Sequence, residues 1–210
     1  MQAPVLVVGG TFNPIHFGHL QPAIELADKI SAAEIRLIPN RFPPHREKPD
    51  TSDSDRLNMC QLAAQLDPRF IVDDRELIKS ATSYSIDTLI ELNQELQQPV
   101  CFVMGIDAFN HLDSWHRWQE LLSHCHIIVA KRSGYSVDIS SRLNSFFLAH
   151  KAEHSIELSQ SKFGKIYLAK TSKLMISSTY IRQRYQAEKN SACLLPQAVN
   201  DYILSHKLYT

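Results

Sequence analysis

Short apolar runs alternate along the chain with longer stretches in which apolar residues recur every three or four positions. The first run, residues 4–8, is rich in Val and ends at Gly9 and Gly10, a pattern typical of a strand buried on both faces. Apolar side chains then recur with helical spacing from Leu20 to Ile30. The chain is therefore predicted to open with a strand, a glycine turn and a helix.

The same alternation continues toward the carboxyl terminus. Further strands are predicted at residues 35–38, 70–72, 100–104, 126–130 and 166–169. Helices are predicted at residues 57–66, after a cap at Ser85, around Trp115 and Trp118, from Ser177 to Tyr185, and from Pro196 to His206 with the proline as the first helical residue. Strands that alternate with helices predict an α/β fold, a Rossmann-like open parallel sheet with helices on both faces.

The domain organisation is predicted from length and composition. A chain of 210 residues with 44% hydrophobic content can bury a sizeable core, and we expect a single domain over residues 1–210. Residues 135–164 are more polar and less periodic, so we expect a peripheral insertion there. Residues 177–210 form the expected C-terminal helical part.

The expected location follows from apolar runs and cysteines. No apolar run approaches the ~18 residues that span a bilayer, and no basic region precedes the first apolar stretch. The four cysteines are far apart and form no CxxC pair, which favours buried free thiols in a reducing compartment. We therefore expect a cytoplasmic protein without a membrane partner.

The charge composition bears on the class of partner. Lys and Arg number 22, and so do Asp and Glu, so the chain has no global positive field. Any affinity for phosphate must come from local placement of charge. Because no stripe of basic and aromatic residues is evident either, the sequence argues against nucleic acid as a partner.

The stretch GGTFNPIHFGH, residues 9–19, lies between the first predicted strand and the first predicted helix. At the carboxyl end of a parallel strand, glycines let the backbone approach a ligand closely, and the next helix start offers unpaired N–H groups to an anion. His16 and His19 can direct imidazole donors at the same phosphate, and Gly18 removes a side chain between them. The stretch predicts a phosphate-binding turn.

A second motif, ISSTYIR, occupies residues 176–182. Its hydroxyl side chains can cap a helix beside an anion, and Arg182 can place a planar cation on phosphate oxygens. Together, the two motifs resemble the signatures of the nucleotidyltransferase superfamily that shares HxGH with class I aminoacyl-tRNA synthetases. This resemblance implies that ATP contacts Gly9, Gly10, Thr11, Phe12, His16, His19, Ser177, Ser178, Thr179 and Arg182.

The middle of the chain resembles the bacterial nicotinate-nucleotide adenylyltransferase family. In PNRFPPHREKP, residues 39–49, Arg46 follows the PPH triplet, where that family has a basic residue. DDRELIKSATSYSIDTL, residues 73–89, resembles the family's segment ending SYTxxTL, with Ser85 in place of the usual threonine. FVMGIDAFNHLDSWHRWQELL, residues 102–122, supplies the GxD motif and the family's tryptophan.

The resemblance to this family implies a role for each matching residue. Ser85 and the backbone N–H of His116 bind the nicotinate carboxylate, and Trp115 stacks on the pyridine ring. Trp118 belongs to the core. Asp107 accepts hydrogen bonds from ribose hydroxyls, unless it is a buried helix cap. Arg46 and Arg182 are also implied to bind the triphosphate of ATP, and Lys131 and Arg132 are candidates of second rank for the same role.

The implied reaction transfers the adenylyl group of ATP to nicotinate mononucleotide and releases pyrophosphate, with His16, His19, Arg46 and Arg182 as catalytic residues. A phosphate monoester is largely a dianion at neutral pH, so the acceptor needs no base. Mg²⁺ is expected on the triphosphate, because the sequence offers no carboxylate cluster to hold a metal. Whether the chain is a monomer or a homo-oligomer is left open.

Two alternative functions fit the outer motifs. Pantetheine-phosphate adenylyltransferase shares both motifs, but it is typically shorter and lacks the segments around Ser85 and Trp115. A catalytically silent nucleotide sensor would keep the phosphate-binding turn without turnover.

One position departs from the family pattern. The usual GGTFDP reads GGTFNP here, so Asn13 replaces an aspartate. An amide keeps the capacity to form a turn but carries no charge. We therefore expect that activity does not depend on a carboxylate at this position.

Overall fold

The computed structural model describes residues 2–41, 49, 51–79, 84–131, 139–172 and 174–210. The strands are β1 Val5–Gly10, β2 Glu34–Pro39, β3 Phe70–Val72, β4 Val100–Gly105, β5 His126–Lys131, β6 Lys151–Ala152 and β7 Ile166–Lys170. The helices are α1 Phe17–Ile30, α2 Asp53–Ala64, α3 Arg75–Ile78, α4 Ser85–Glu95, α5 Ile106–Asn110, α6 Ser141–His150, α7 Ser178–Gln186 and α8 Gln197–Ser205. Short 3-10 helices occupy Leu112–Ser114, Trp118–Ser123 and Ser155–Ser159.

The strands form an open parallel sheet in the order β3-β2-β1-β4-β5-β7-β6. In its centre, Val7 of β1 lies opposite Phe102 of β4, and Val103 lies opposite Ile128 of β5. The apolar runs of these strands are almost fully buried, as a sheet covered by helices requires. The predicted α/β class with an open parallel sheet is confirmed.

Two compact units divide the chain. The first contains Met1–Val8, Ala23–Ile35 and Tyr84–Ser172, and the second contains Gly9–Pro22, Arg36–Ser83 and Lys173–Thr210. Within the first unit, α6 and β6 lie in the segment for which the sequence predicts a peripheral insertion, and β6 pairs in parallel with β7.

The predicted boundaries at two helix starts are wrong by one residue. Ser85 is the first residue of α4, and Tyr84 occupies its cap position. Pro196 is the cap of α8 instead of its first helical residue. Both cap residues have ψ values, 130° and 142°, that belong to extended backbone. Serine usually prefers the cap and proline the first helical position, so these residue preferences alone misplace both boundaries by one residue.

The segment around the two tryptophans also differs from its prediction. The sequence predicts one helical stretch that contains both tryptophans, but the structure has two short 3-10 helices there, separated by residues 115–117. The first 3-10 helix ends with Trp115 as its C-cap, and Arg117, with a left-handed φ of 51°, is the N-cap of the second. Trp118 is 5% exposed, and its ring packs edge-on against Phe146. The prediction that Trp118 belongs to the core is confirmed.

Arg56 of α2 is fully buried in the second unit. Its Nη1 donates hydrogen bonds to the carbonyl oxygens of Thr11 and Asn40, both at 2.7 Å. Its Nη2 donates to Oδ1 of Asp53 at 2.7 Å, and Oδ2 of the same carboxylate pairs with Nε of Arg41 at 2.8 Å. Because Thr11 follows β1 and Asn40 follows β2, one buried cation joins two chain segments to the start of α2.

The substitution Arg56→Met should lower the free energy of unfolding by about 3–5 kcal/mol, because it leaves two carbonyls without their donor and removes one of the two cations paired with Asp53. Arg56→Lys should cost less, since it keeps the charge but loses the planar fork. Denaturant titration at neutral pH measures both losses.

The matched control is Arg69→Met, which removes a more exposed ion pair between Arg69 and Asp67 at 2.8 Å. Arg69 remains 27% exposed, so solvent can replace part of the lost pairing, and this variant should lose less than about 1 kcal/mol. Equal losses for Arg56→Met and Arg69→Met would contradict the structural role of Arg56.

His126 of β5 is a fully buried imidazole in the first unit. Its Nδ1 accepts a hydrogen bond from the backbone N–H of Lys165 at 3.1 Å. The proton therefore lies on Nε2, which donates to the carbonyl oxygen of Ser161 at 2.9 Å. Burial lowers the pKa of His126, because desolvation disfavours the charged ring.

Stability should therefore fall on acidification. Above the unfolded pKa of about 6.5, both states are neutral and His126 makes no pH-dependent contribution. Below it, the unfolded chain binds a proton that the folded chain resists, so His126 lowers stability by at most about 1.4 kcal/mol per pH unit until the folded pKa is passed.

Denaturation curves between pH 5 and pH 8 measure this effect against His126→Gln. The variant should be less stable than the natural protein at pH 7.5, but its stability should depend less on pH below about 6.5. Identical slopes in the acid range would show that His126 does not carry the effect.

Candidate active site

The turn that follows β1 is held in an uncommon conformation. Phe12 has a left-handed φ of 45° and is 1% exposed, and its ring packs edge-on against His19 at 5.2 Å between centroids. A bulky residue adopts this backbone only where its surroundings fix it. A Cβ on Gly10 would lie 2.9 Å from the Phe12 ring, so the glycine is needed. The Phe12 side chain is therefore part of the buried core, and only the Phe12 backbone is available to a ligand.

His16 and His19 lie side by side at the start of α1. Their imidazole rings stack with 3.8 Å between centroids and 25° between planes. The carbonyl oxygen of His16 accepts hydrogen bonds from the backbone N–H groups of His19 and Leu20, at 2.8 and 3.2 Å. The prediction that both histidines lie on one side of the helix start is confirmed.

Gly18 allows the two sequence motifs to approach each other. A Cβ at this position would lie 2.8 Å from Cε1 of His16 and 3.0 Å from the carbonyl oxygen of Ile176. Any larger residue would therefore have to push the His16 ring away from the ISSTYIR segment.

Ser177 caps α7, as the sequence predicts. Its Oγ accepts a hydrogen bond from the backbone N–H of Tyr180 at 3.1 Å. Thr179, in the first turn, is exposed, and its Oγ1 accepts from Nη2 of Arg182 at 3.4 Å. The start of this helix is therefore lined by hydroxyls and one guanidinium.

Two hydrogen bonds join the second motif to the first. Ser178 donates from Oγ to the carbonyl oxygen of Pro14 at 2.9 Å, and Arg182 donates from Nη1 to the carbonyl oxygen of Asn13 at 2.8 Å. Histidines, helix start and guanidinium thus belong to one cluster in the second unit, as expected for a site that binds a polyanion.

Two residues of this cluster are not predicted by the sequence. Tyr209 donates a hydrogen bond from its hydroxyl to Oδ1 of Asn13 at 2.6 Å. Arg56 anchors the carbonyl of Thr11, the residue that opens the turn. Neither contact has a local signal in the sequence, since the partners are separated by 196 and 45 positions.

A second cluster of predicted residues lies in the first unit. The ring of Tyr84 packs against that of His116 with 4.4 Å between centroids, which brings the start of α4 at Ser85 next to the segment after Trp115. Trp115 is half-buried, and its ring meets that of Phe102 edge-on at 6.4 Å. An aromatic surface and a helix start are therefore adjacent.

The end of β4 is open. A Cβ added to Gly105 would meet no atom within 4 Å. Asp107 follows in the first turn of α5 and is exposed, and Gly105 is the cap residue of that helix. The alternative that Asp107 is a buried helix cap is therefore wrong, and its carboxylate is accessible.

The remaining predicted site residues are Arg46, Arg132 and Lys131. Arg46 and Arg132 fall outside the described residues. Lys131 ends β5 and is half-buried. Within the described part of the chain, no three His, Cys, Asp or Glu side chains are placed to share a metal ion, and no helix is long and apolar enough to cross a bilayer.

The cysteines are free thiols. Cys60, Cys101 and Cys125 are buried, and burial raises the pKa of each thiol. Cys193 is exposed, so the prediction of burial is wrong for that residue. It lies in the connection between α7 and α8, outside any apolar strand.

Comparison with known proteins agrees with these motifs. A family model described as cytidylyltransferase-like matches residues 7–184. A probable nicotinate-nucleotide adenylyltransferase of Aeromonas hydrophila is 42% identical over 210 residues, which cover 100% of this chain and 98% of that protein. One of Yersinia pestis is 44% identical over 204 residues, which cover 96% and 93% of the two chains.

A solved structure has the same fold. Plasmodium falciparum nicotinic acid mononucleotide adenylyltransferase complexed with NaAD superposes with a TM-score of 0.72 at 20% identity, covering 99% of this chain and 98% of that chain. The relatives match along nearly their whole length, so the family assignment rests on almost the entire chain and not on the motifs alone. The chain therefore belongs to the cytidylyltransferase-like family and, within it, to the nicotinate-nucleotide adenylyltransferases.

Proposed function

We propose that this chain transfers the adenylyl group of ATP to nicotinate mononucleotide, giving nicotinate adenine dinucleotide and pyrophosphate in NAD biosynthesis. The observation that carries the proposal is the pair of hydrogen bonds from Ser178 and Arg182 to the turn at Pro14 and Asn13. They unite the histidines, a helix start and a guanidinium in one unit. The names of the full-length relatives support the same reaction.

The triphosphate of ATP is assigned to the second unit. The backbone of residues 9–12 approaches the phosphates, His16 and His19 donate from their imidazoles, and Arg182 neutralises charge on the departing pyrophosphate. The hydroxyls of Ser177, Ser178 and Thr179 complete this assignment. Arg46 and Arg132, which lie outside the described residues, remain part of the proposal on the resemblance alone.

The chemistry requires positioning more than proton transfer. The acceptor phosphate is already a nucleophile at neutral pH, so the protein must hold it in line with the α-phosphorus and offset the repulsion between two anions. Imidazole, guanidinium and backbone N–H donors are suited to that task. Mg²⁺ is assigned to the phosphate oxygens of ATP, where it supplies further neutralisation.

The pyridine ring of the acceptor is assigned to the first unit. Trp115 offers a flat, half-buried surface for stacking. The nicotinate carboxylate is assigned to Ser85 and to the backbone N–H of His116, because Ser85 is the first residue of α4, where amides have no partner within the helix. The exposed carboxylate of Asp107 is assigned to ribose hydroxyls.

A cytoplasmic location is also proposed. Cys60, Cys101 and Cys125 are free and buried, a state that is typical of proteins in a reducing compartment.

The direct test offers three acceptors in parallel to the purified protein with ATP and Mg²⁺: nicotinate mononucleotide, nicotinamide mononucleotide and phosphopantetheine. Pyrophosphate release should be at least about tenfold faster with the nicotinate form, because backbone N–H donors favour a carboxylate over an amide. Pyrophosphate release only with phosphopantetheine would show that phosphopantetheine, and not nicotinate mononucleotide, is the acceptor.

The control is His19→Asn, purified in the same way, which should lose most of the activity because it removes an imidazole from the reacting phosphates. Activity that survives in this variant would point to a contaminating enzyme. Absence of release with every acceptor would leave a nucleotide sensor as the function.

Trp115→Ala should raise the KM for nicotinate mononucleotide about tenfold or more, because the pyridine ring loses its stacking surface. The KM for ATP should change little. Trp115→Phe keeps a flat ring and should recover most of the affinity. Steady-state kinetics with each substrate varied in turn measures the three proteins, and equal increases in both KM values would contradict the assignment.

A further inference from the structure

Three side chains from the C-terminal part of the second unit donate hydrogen bonds to the turn at Asn13 and Pro14. Its carbonyl oxygen accepts from Arg182 at 2.8 Å, and its side-chain Oδ1 accepts from the hydroxyl of Tyr209 at 2.6 Å. The carbonyl of the next residue, Pro14, accepts from Ser178 at 2.9 Å. Asn13 itself is only 8% exposed, so these bonds are shielded from water.

Tyr209 is suited to act as a fixed donor. Its backbone is left-handed, with a φ of 66°, and its ring packs at 6.2 Å from that of Tyr185. The side chain of Thr51, which is 8% exposed, also interacts with the Tyr209 hydroxyl. Burial raises the pKa of Tyr209, so the hydroxyl keeps its proton across the physiological range.

We propose that Tyr209 is a positioning residue for Arg182. By holding the side chain of Asn13, it fixes the peptide whose carbonyl anchors one end of the Arg182 guanidinium. The remaining donors of this planar group are then aimed in a set direction. The proposal rests on the assignment of Arg182 to the triphosphate.

The same contact accounts for asparagine where the family has aspartate. Tyr209 needs only an oxygen acceptor at this position, and an amide and a carboxylate both supply one. The charge of the side chain is not used in the bond. An aspartate at position 13 should therefore preserve the arrangement, whereas alanine should not.

The test compares Tyr209→Phe with Tyr185→Phe. Tyr185 lies on α7, the helix of Arg182, and its hydroxyl donates to Oδ1 of Asn200 at 2.9 Å, so its variant removes a similar bond that does not touch the turn. Calorimetry measures the Kd for ATP without acceptor, and melting curves record the stability of each protein.

Tyr209→Phe should weaken ATP binding roughly tenfold, the effect of losing one well-formed hydrogen bond at the site. It should raise the KM for pyrophosphate in the reverse reaction by a similar factor and leave the KM for nicotinate mononucleotide within about twofold. Tyr185→Phe should cost similar stability but leave the Kd for ATP unchanged.

Variants of Asn13 provide a second test of the proposal. Asn13→Ala should weaken ATP binding as much as Tyr209→Phe, and the double variant should be no weaker than either, because both remove one interaction. Asn13→Asp should bind ATP like the natural protein.

Equal ATP binding by the Tyr209→Phe and Tyr185→Phe proteins would overturn the proposal, as would additive losses in the double variant. Since binding is measured without turnover, a protein that binds ATP but transfers nothing would refute the proposed function and still decide the role of Tyr209.

Discussion

A buried cation organises the second unit. Arg56 is removed from water and surrounded by two main-chain carbonyls and the carboxylate of Asp53. Taking a guanidinium out of water is costly, and the cost is offset only when its donors meet acceptors of good geometry. The turn after β1 and the chain after β2 must therefore keep their carbonyls in place, because displacement of either would leave a buried charge unsatisfied.

The turn fixed in this way carries further constraints. Phe12, a residue of this turn, has a left-handed backbone, and Gly18 leaves room for the His16 ring next to Ile176. Hydrogen bonds from Arg182 and Tyr209 then close on Asn13. The packing of Phe12, the buried cation of Arg56 and the donors from Arg182 and Tyr209 together define the backbone geometry of the turn. Such preorganisation lowers the cost of binding an anion.

Much of the fold was predictable because the local spacing of apolar residues indicates which segments are strands and which are helices. The strands at residues 70–72 and 126–130 are short apolar runs, and the structure has them at the same positions within one residue. The sites of the two motifs were predictable from helix-start chemistry and from resemblance. Arg56 was not predictable, because arginines in helices are mostly exposed and only the folded chain shows what surrounds this one. The same holds for Tyr209, whose partner is 196 positions away.

That long separation has a consequence for the order of events during folding. The bond between Arg182 and Asn13 spans 169 positions, so the anion-binding cluster closes a very large loop. Contacts of this range are expected late in folding, because a long loop must close before they form. A ligand that binds only the closed cluster would then shift the local opening equilibrium of α7 and α8 by mass action. Ligand binding at the site would thus increase the local order of the C-terminal helices α7 and α8, and a loss of that order would weaken ligand binding.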